Sequence, residues 1–296
     1  MAHMEMVTLV SAALGSVVGL ILALTGAGGA IVAVPLLVFG LGLDVAQAAP
    51  IGLFAVALAA GIGALLALRE GKVRYKAAAL MAVAGAVISP AGLWVAHRLP
   101  DAPLMLVFAL VLARVAWRMF HQQRAMAGAQ AEAHPADDAL DLQGGAELCP
   151  SDLPCRLNAD RGKLDWTAPC ARALALSGAM AGFLSGLLGV GGGFVIVPAL
   201  KRASDIPMQG IVATSLAVIA LVSAAGVAAS AASGHMLWIN AVPFAAGALA
   251  GMLIGRVFAR HVSGARLQQS FAAFAGCVAV GMAVKAVHAM MAAGVV

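Results

Sequence analysis

The chain has 296 residues, 62% of them apolar and 10% charged, against about 25% charged in soluble globular proteins. Mean hydropathy is +0.98. These values exclude a soluble enzyme, a secreted disulfide scaffold and a disordered chain, and specify a polytopic helical membrane protein lodged in a lipid bilayer. The net charge of +5 does not point to nucleic acid. Its basic residues stand in short clusters between apolar runs, as cytoplasmic membrane loops do, with a single Tyr in the chain.

In chain order, uncharged runs predict segments over 7–25, 29–43, 45–68, 77–97 and 103–121, then 173–189, 192–203, 206–233, 238–259 and 267–292. Runs of about 20 residues can cross a hydrocarbon layer of about 30 Å. The 29–43 and 192–203 pieces are short and each follows a glycine cluster, so they read as half-helices or the return legs of re-entrant hairpins. No cleavable signal peptide is expected, because Met1–Val10 lacks a basic start and the apolar run continues past any cleavage site. Residues 122–172 are polar, acidic and punctuated by Pro and Gly, which predicts a mobile loop. The expected organisation is thus a first membrane repeat over 1–121, the polar loop over 122–172, and a second membrane repeat over 173–296.

The cysteines are Cys149, Cys155, Cys170 and Cys277. No CxxC occurs, and three of them lie in a loop assigned to the reducing cytoplasm, so disulfides are not expected. A zinc site of His134 with those three cysteines is the alternative, but the irregular gaps speak against it. No metal and no cofactor is expected.

The halves repeat at an offset of 163 residues, by subtraction of matched positions. Gly19 meets Gly182, Gly26 meets Gly189, Gly28 meets Gly191 and Gly29 meets Gly192. Val32, Val34, Pro35 and Leu37 meet Val195, Val197, Pro198 and Leu200, and the register still holds at Gly71 with Gly234 and Gly92 with Gly255. Basic residues alternate between equivalent loops. Arg69, Lys72, Arg74 and Lys76 have no basic counterpart near 232–239, whereas Lys201 with Arg202, and Arg256, Arg260 and Arg266, stand opposite loops carrying none or only Arg98. Under the positive-inside rule this predicts an all-α protein of two inverted-topology repeats whose glycine-broken helices meet near the midplane. The central loop would be cytoplasmic and both termini outside.

Thr25-Gly-Ala-Gly-Gly-Ala-Ile-Val-Ala-Val-Pro35 and Gly186-Leu-Leu-Gly-Val-Gly-Gly-Gly-Phe-Val-Ile-Val-Pro198 are the strongest local signals. Each glycine costs a helix about 1 kcal/mol relative to Ala, and broken backbone at membrane depth survives only where protein or a water-filled cavity covers it. Glycine supplies positive φ and close approach, so successive N–H groups can converge on an anion. The helix that follows brings about half a positive charge to the same point. Gly26, Gly28, Gly29, Gly189, Gly191, Gly192 and Gly193 are therefore candidate substrate contacts. The competing reading is close helix packing, to which the four-residue spacings of Gly15 with Gly19, of Gly178, Gly182 and Gly186, and of Gly247, Gly251 and Gly255 are assigned. Neither cluster completes GxGxxG or carries a Walker lysine.

Both glycine segments, with Val34-Pro-Leu and Val197-Pro-Ala-Leu, resemble the signature of the sulfite exporter TauE/SafE family of membrane transporters, as does Ala213-Thr-Ser-Leu216. The first copy departs from it, with Pro50-Ile-Gly-Leu53 in the equivalent place. The resemblance covers nearly the whole chain apart from the central loop. It implies a secondary transporter or facilitator, in a bacterial inner membrane, exporting a small sulfur-containing anion such as sulfite, an organosulfonate or thiosulfate.

Hydroxyls at Thr214 and Ser215, and at Thr25, Ser185 and Ser89, are candidate donors to that anion, although Ser and Thr in membrane helices often bond their own i−4 carbonyl. Gln47 and Gln209 suit a loop as well as a site. Arg114 and Arg118 could line an anion path or snorkel to the interface, Lys285 likewise, and Trp94, Trp117 and Trp238 fit an interfacial belt. An enzyme or membrane redox subunit would need convergent titratable side chains inside the spans, and the apolar runs hold no Asp or Glu. A non-transporting assembly protein leaves the paired glycine breaks unexplained. A homodimer is compatible with the sequence. The scarcity of intramembrane carboxylates predicts export driven by the membrane potential without a coupled cation.

Overall fold

A computed structural model describes residues 2–25, 29–71, 73–131, 155, 157–158, 163–164, 167–203, 208–234, 236–258 and 264–292. Ten α-helices carry the architecture among the described residues. The first five are α1 (Ala2–Thr25), α2 (Gly29–Gly40), α3 (Val45–Arg69), α4 (Tyr75–Arg98) and α5 (Asp101–Ala131). The second five are α6 (Ala168–Leu188), α7 (Gly193–Ala203), α8 (Met208–Ala232), α9 (Trp238–Phe258) and α10 (Gly264–Ala292). Six of them, α1, α3, α4, α6, α8 and α9, are long and apolar enough to cross a membrane. Their outward faces carry Leu9, Leu65, Val83, Val87, Leu176 and Val257 in the open, a pattern that suits lipid and would aggregate a protein in water. α2 and α7, with 12 and 11 residues, are about 18 and 17 Å long, half a hydrocarbon layer.

The helix boundaries repeat as the sequence does. Adding 163 to the bounds of α3, 45–69, gives 208–232, the bounds of α8, and Gly71 and Gly234 after them both take positive φ, +68° and +72°. The glycines assigned to packing lie on helix contacts. Gly15 and Gly19 of α1 pack on Phe244 and Ala248 of α9, and Gly247 and Gly251 pack back on Ala12 and Ser16. In the second half, Gly178, Gly182 and Gly186 of α6 rest on Met81, Gly85 and Ser89 of α4. Within each pair the residue numbers rise together, so α1 runs parallel to α9 and α6 parallel to α4. By contrast, α3 and α8 run antiparallel at the centre, with Leu53 against Gly226 and Gly63 against Leu216.

Three features of the connecting stretch depart from expectation. Cys155 and Cys170 form a disulfide, which overturns the expectation of unpaired cysteines. Both side chains are fully buried, and Cys170 lies in the first turn of α6 with its N–H on the capping Thr167 hydroxyl. A two-residue antiparallel pairing, β1 (Leu157–Asn158) with β2 (Lys163–Leu164), stands beside it. α5 continues to Ala131, beyond the expected end of the first repeat, and α6 begins at Ala168, ahead of the second. Cys149 and His134 lie outside the described residues.

Candidate functional site

The second glycine cluster breaks the chain between α6 and α7 in the middle of the protein. α6 ends in Gly189, whose N–H bonds the Ser185 carbonyl at 2.8 Å in a left-handed turn (φ +71°). Gly191 and Gly192 follow at φ +69° and +68°, and α7 starts at Gly193. An L side chain in that region costs about 1–2 kcal/mol per residue, so three such positions in four residues demand glycine. Every residue from Ser185 to Gly193 is buried. The Gly192 carbonyl accepts from Val195 and Ile196. The amides of Gly191 and Gly192 make no backbone hydrogen bond among the described residues. They and the first N–H groups of α7 form the positive end of a half-helix.

These glycines do different work. Gly189 lies against the Ala49 backbone of α3, and a methyl on Gly192 would stand 2.6 Å from the Ala181 carbonyl oxygen of α6. Both therefore meet a packing demand of the chain itself. A methyl on Gly191 would meet side chains instead: Ser223 Oγ at 3.0 Å, Ile219 at 3.1 Å and Val56 at 3.1 Å. In the first half α1 ends at Thr25 and α2 begins at Gly29, which packs on the Leu22 backbone. Gly26, Gly28 and the Thr25 side chain lie outside the described residues.

The candidate hydroxyls divide into two groups. Thr214 is fully buried and accepts the Arg74 N–H at 3.1 Å, tying the α3–α4 connection to the first turns of α8. Ser215 donates to the Val212 carbonyl at 2.8 Å, within its own helix. Nine residues separate Thr214 from Ser223, about 13 Å along α8, so Thr214 and Ser215 stand away from the second break. Ser89 and Ser185 are fully buried with no hydrogen-bond partner for Oγ among the described residues, and so are Ser223 and Ser230, which the sequence reading missed. Ser11, Ser177 and Ser233 show the ordinary alternative, each donating to the carbonyl four residues back. The signal that could have found Ser223 is its place on the Ile219–Ser223–Gly226–Ser230 stripe of α8, a single helical face.

The remaining candidates sit at the periphery. Gln47, Gln209 and Arg114 are exposed, as are Trp94, Trp117 and Trp238. Lys285 lies over the Phe39 ring at 5.7 Å, and the Arg118 side chain lies outside the described residues. Glu70 and Arg256 pair at 2.6 Å where α3 and α9 end. Among the described residues no three His, Cys, Asp or Glu gather as a metal site would require. A cavity of about 900 Å³ between α5 and α10 is lined by apolar residues such as Leu110, Trp117 and Val280, and offers nothing to an anion.

A family described as sulfite exporter TauE/SafE matches residues 11–282. A probable membrane transporter protein of Xylella fastidiosa (strain 9a5c) is 28% identical over 254 residues, 85% of each chain. The probable membrane transporter protein YunE of Bacillus subtilis (strain 168) is 38% identical over 81 residues, 27% of this chain and 30% of that protein. No solved structure matches. A family match that runs through both halves and both glycine breaks settles the kinship: the chain belongs to the sulfite exporter TauE/SafE family of membrane transporters.

Proposed function

We propose that the protein exports a small sulfur-containing oxyanion, of the sulfite, organosulfonate or thiosulfate class, through a bacterial inner membrane. The observation that carries this reading is the second break, where consecutive amides without a backbone partner among the described residues, at the buried start of a half-helix, form an electropositive point, and α3, α4, α6, α7 and α8 hold no Asp or Glu. Such a point favours an anion over a cation, and backbone broken there suits a transport site. The proposed architecture is a pair of inverted repeats. Antiparallel packing of α3 and α8 supports it, because helices exchanged by a twofold axis in the membrane plane must run opposite ways.

Orientation follows from charge. The Arg74–Thr214 and Glu70–Arg256 contacts gather the ends of α3 and α9 and the start of α8 on one side, where Arg69, Lys76 and Lys201 also stand. That side is cytoplasmic under the positive-inside rule. The Cys155–Cys170 disulfide lies at this end, since α6 begins where α4 begins. The deciding experiment loads liposomes holding purified protein with labelled sulfite, methanesulfonate or thiosulfate and follows efflux. Efflux of at least one above protein-free vesicles is expected; efflux of none overturns the reading.

A further inference from the structure

We propose that the transporter holds one oxyanion site rather than a symmetric pair, built on the second break by the hydroxyls of Ser223 and Ser89 with the amides of Gly191 and Gly192; this deepens, and rests on, the exporter reading. A buried hydroxyl with no partner is destabilising, because its lost hydration is not replaced, and helical serines ordinarily avoid that by bonding the preceding turn. Ser89, Ser185, Ser223 and Ser230 do not. Two of them are aimed at the break or its border. Ser223 Oγ stands 3.0 Å from where a Gly191 methyl would be, and Ser89 Oγ stands 3.4 Å from where a Gly226 methyl would be. Gly226 follows Ser223 by three residues on the same face of α8, so the two hydroxyls border α8 about one helical turn apart, Ser223 against the Gly191 turn and Ser89 from α4.

The repeat makes the asymmetry explicit. Subtracting 163 carries Ser185, Ser223 and Ser230 onto Leu22, Ala60 and Ala67, and adding it carries Ser89 onto Met252. All four counterparts are apolar and buried. The packing at one central contact is equivalent. Gly226 faces Leu53 and Ser89 in one half, and Gly63 faces Leu216 and Met252 in the other. The contact is therefore duplicated while these four hydroxyls are not: leucine, alanine and methionine side chains stand at the equivalent positions.

The chemistry of the donor set names the ligand class. Neutral O–H and N–H donors recognise the spread negative charge of an oxyanion through several short hydrogen bonds. The Gly191 turn rests on Ser223, so an anion held there would lie between the turn and α8. Its arrival satisfies the hydroxyls left unpartnered here.

The test measures transport and stability together in the full-length protein. Ser223→Ala and Ser89→Ala should each lower efflux of sulfite at subsaturating concentration about tenfold or more, while leaving the melting temperature unchanged or raised. Ser177→Ala, which loses only a bond inside α6, should transport as wild type does. Equilibrium dialysis should find one sulfite per chain in wild type and weaker binding in Ser223→Ala. Wild-type transport retained in both site variants, transport lost together with stability, or two sulfites per chain would overturn the proposal. A wild-type protein that moves no sulfur oxyanion overturns the exporter reading instead. The site then stands if nitrite, nitrate, sulfate or phosphate raises the melting temperature of wild type but not of Ser223→Ala, and falls if none does.

Discussion

Alanine at Gly191 and at Gly192 separates a glycine that faces the proposed site from one that serves packing. Both positions hold left-handed backbone, so each substitution costs about 1–2 kcal/mol in conformation alone. At Gly192 the methyl also collides with the Ala181 carbonyl at 2.6 Å. That partner is helix backbone and cannot swing aside, so an overpacking cost of about 1–3 kcal/mol is added. The sum for Gly192→Ala is about 2–5 kcal/mol, a fall in melting temperature on the order of 10 °C. At Gly191 the neighbours are side-chain atoms at 3.0–3.1 Å, which can give by a few tenths of an ångström, so Gly191→Ala should cost only a few degrees. Its methyl occupies the space in front of Ser223, and transport should fall at least tenfold. Thermal unfolding in detergent and efflux from liposomes, measured on the same preparations, read the two effects. Normal transport by a folded Gly191→Ala protein would refute the assignment of the break as the substrate site.

Three further outcomes follow from the arrangement. In a cysteine-free background, Tyr75→Cys should be labelled by an impermeant maleimide only from the cytoplasmic side and Ser233→Cys only from outside; labelling of both from one side would remove the inverted repeat. Alkylation of the purified protein before and after reduction should differ by two thiols in intact mass, and an equal count would dissolve the Cys155–Cys170 pairing. A potential of about 100 mV, negative inside, is worth about 2.3 kcal/mol per charge, roughly a 50-fold bias for a monovalent anion. Imposed potassium-diffusion potentials should therefore drive export, and transport that follows only a proton or sodium gradient would refute potential-driven movement.

Much of the fold was legible in the chain because membrane burial imposes one rule on every span: uncharged, apolar and continuous. Ten predicted segments correspond to ten described helices, and the 163-residue register carries the bounds of α3 onto those of α8. The glycine spacings of Gly15 with Gly19 and of Gly178, Gly182 and Gly186 announced close helix contacts, since a stripe of small residues lets backbones touch. The disulfide was not legible, because cysteine spacing gives no distance and the loop charge argued for a reducing compartment. Nor was the division of labour among the glycines, as dense glycine marks a break without saying what each missing side chain faces. The hydroxyls show the limit most plainly. Thr214 and Ser215 lay next to a recognisable motif, but the motif did not say that Thr214 accepts the Arg74 N–H or that Ser215 donates to the Val212 carbonyl. Ser223 looked like any small helical residue, and only the packing of α8 against the Gly191 turn left its oxygen buried without a partner. Local pattern determines which segments form helices and where they break. Which hydroxyl goes unsatisfied depends on atoms brought together from distant positions, and tertiary structure alone decides that.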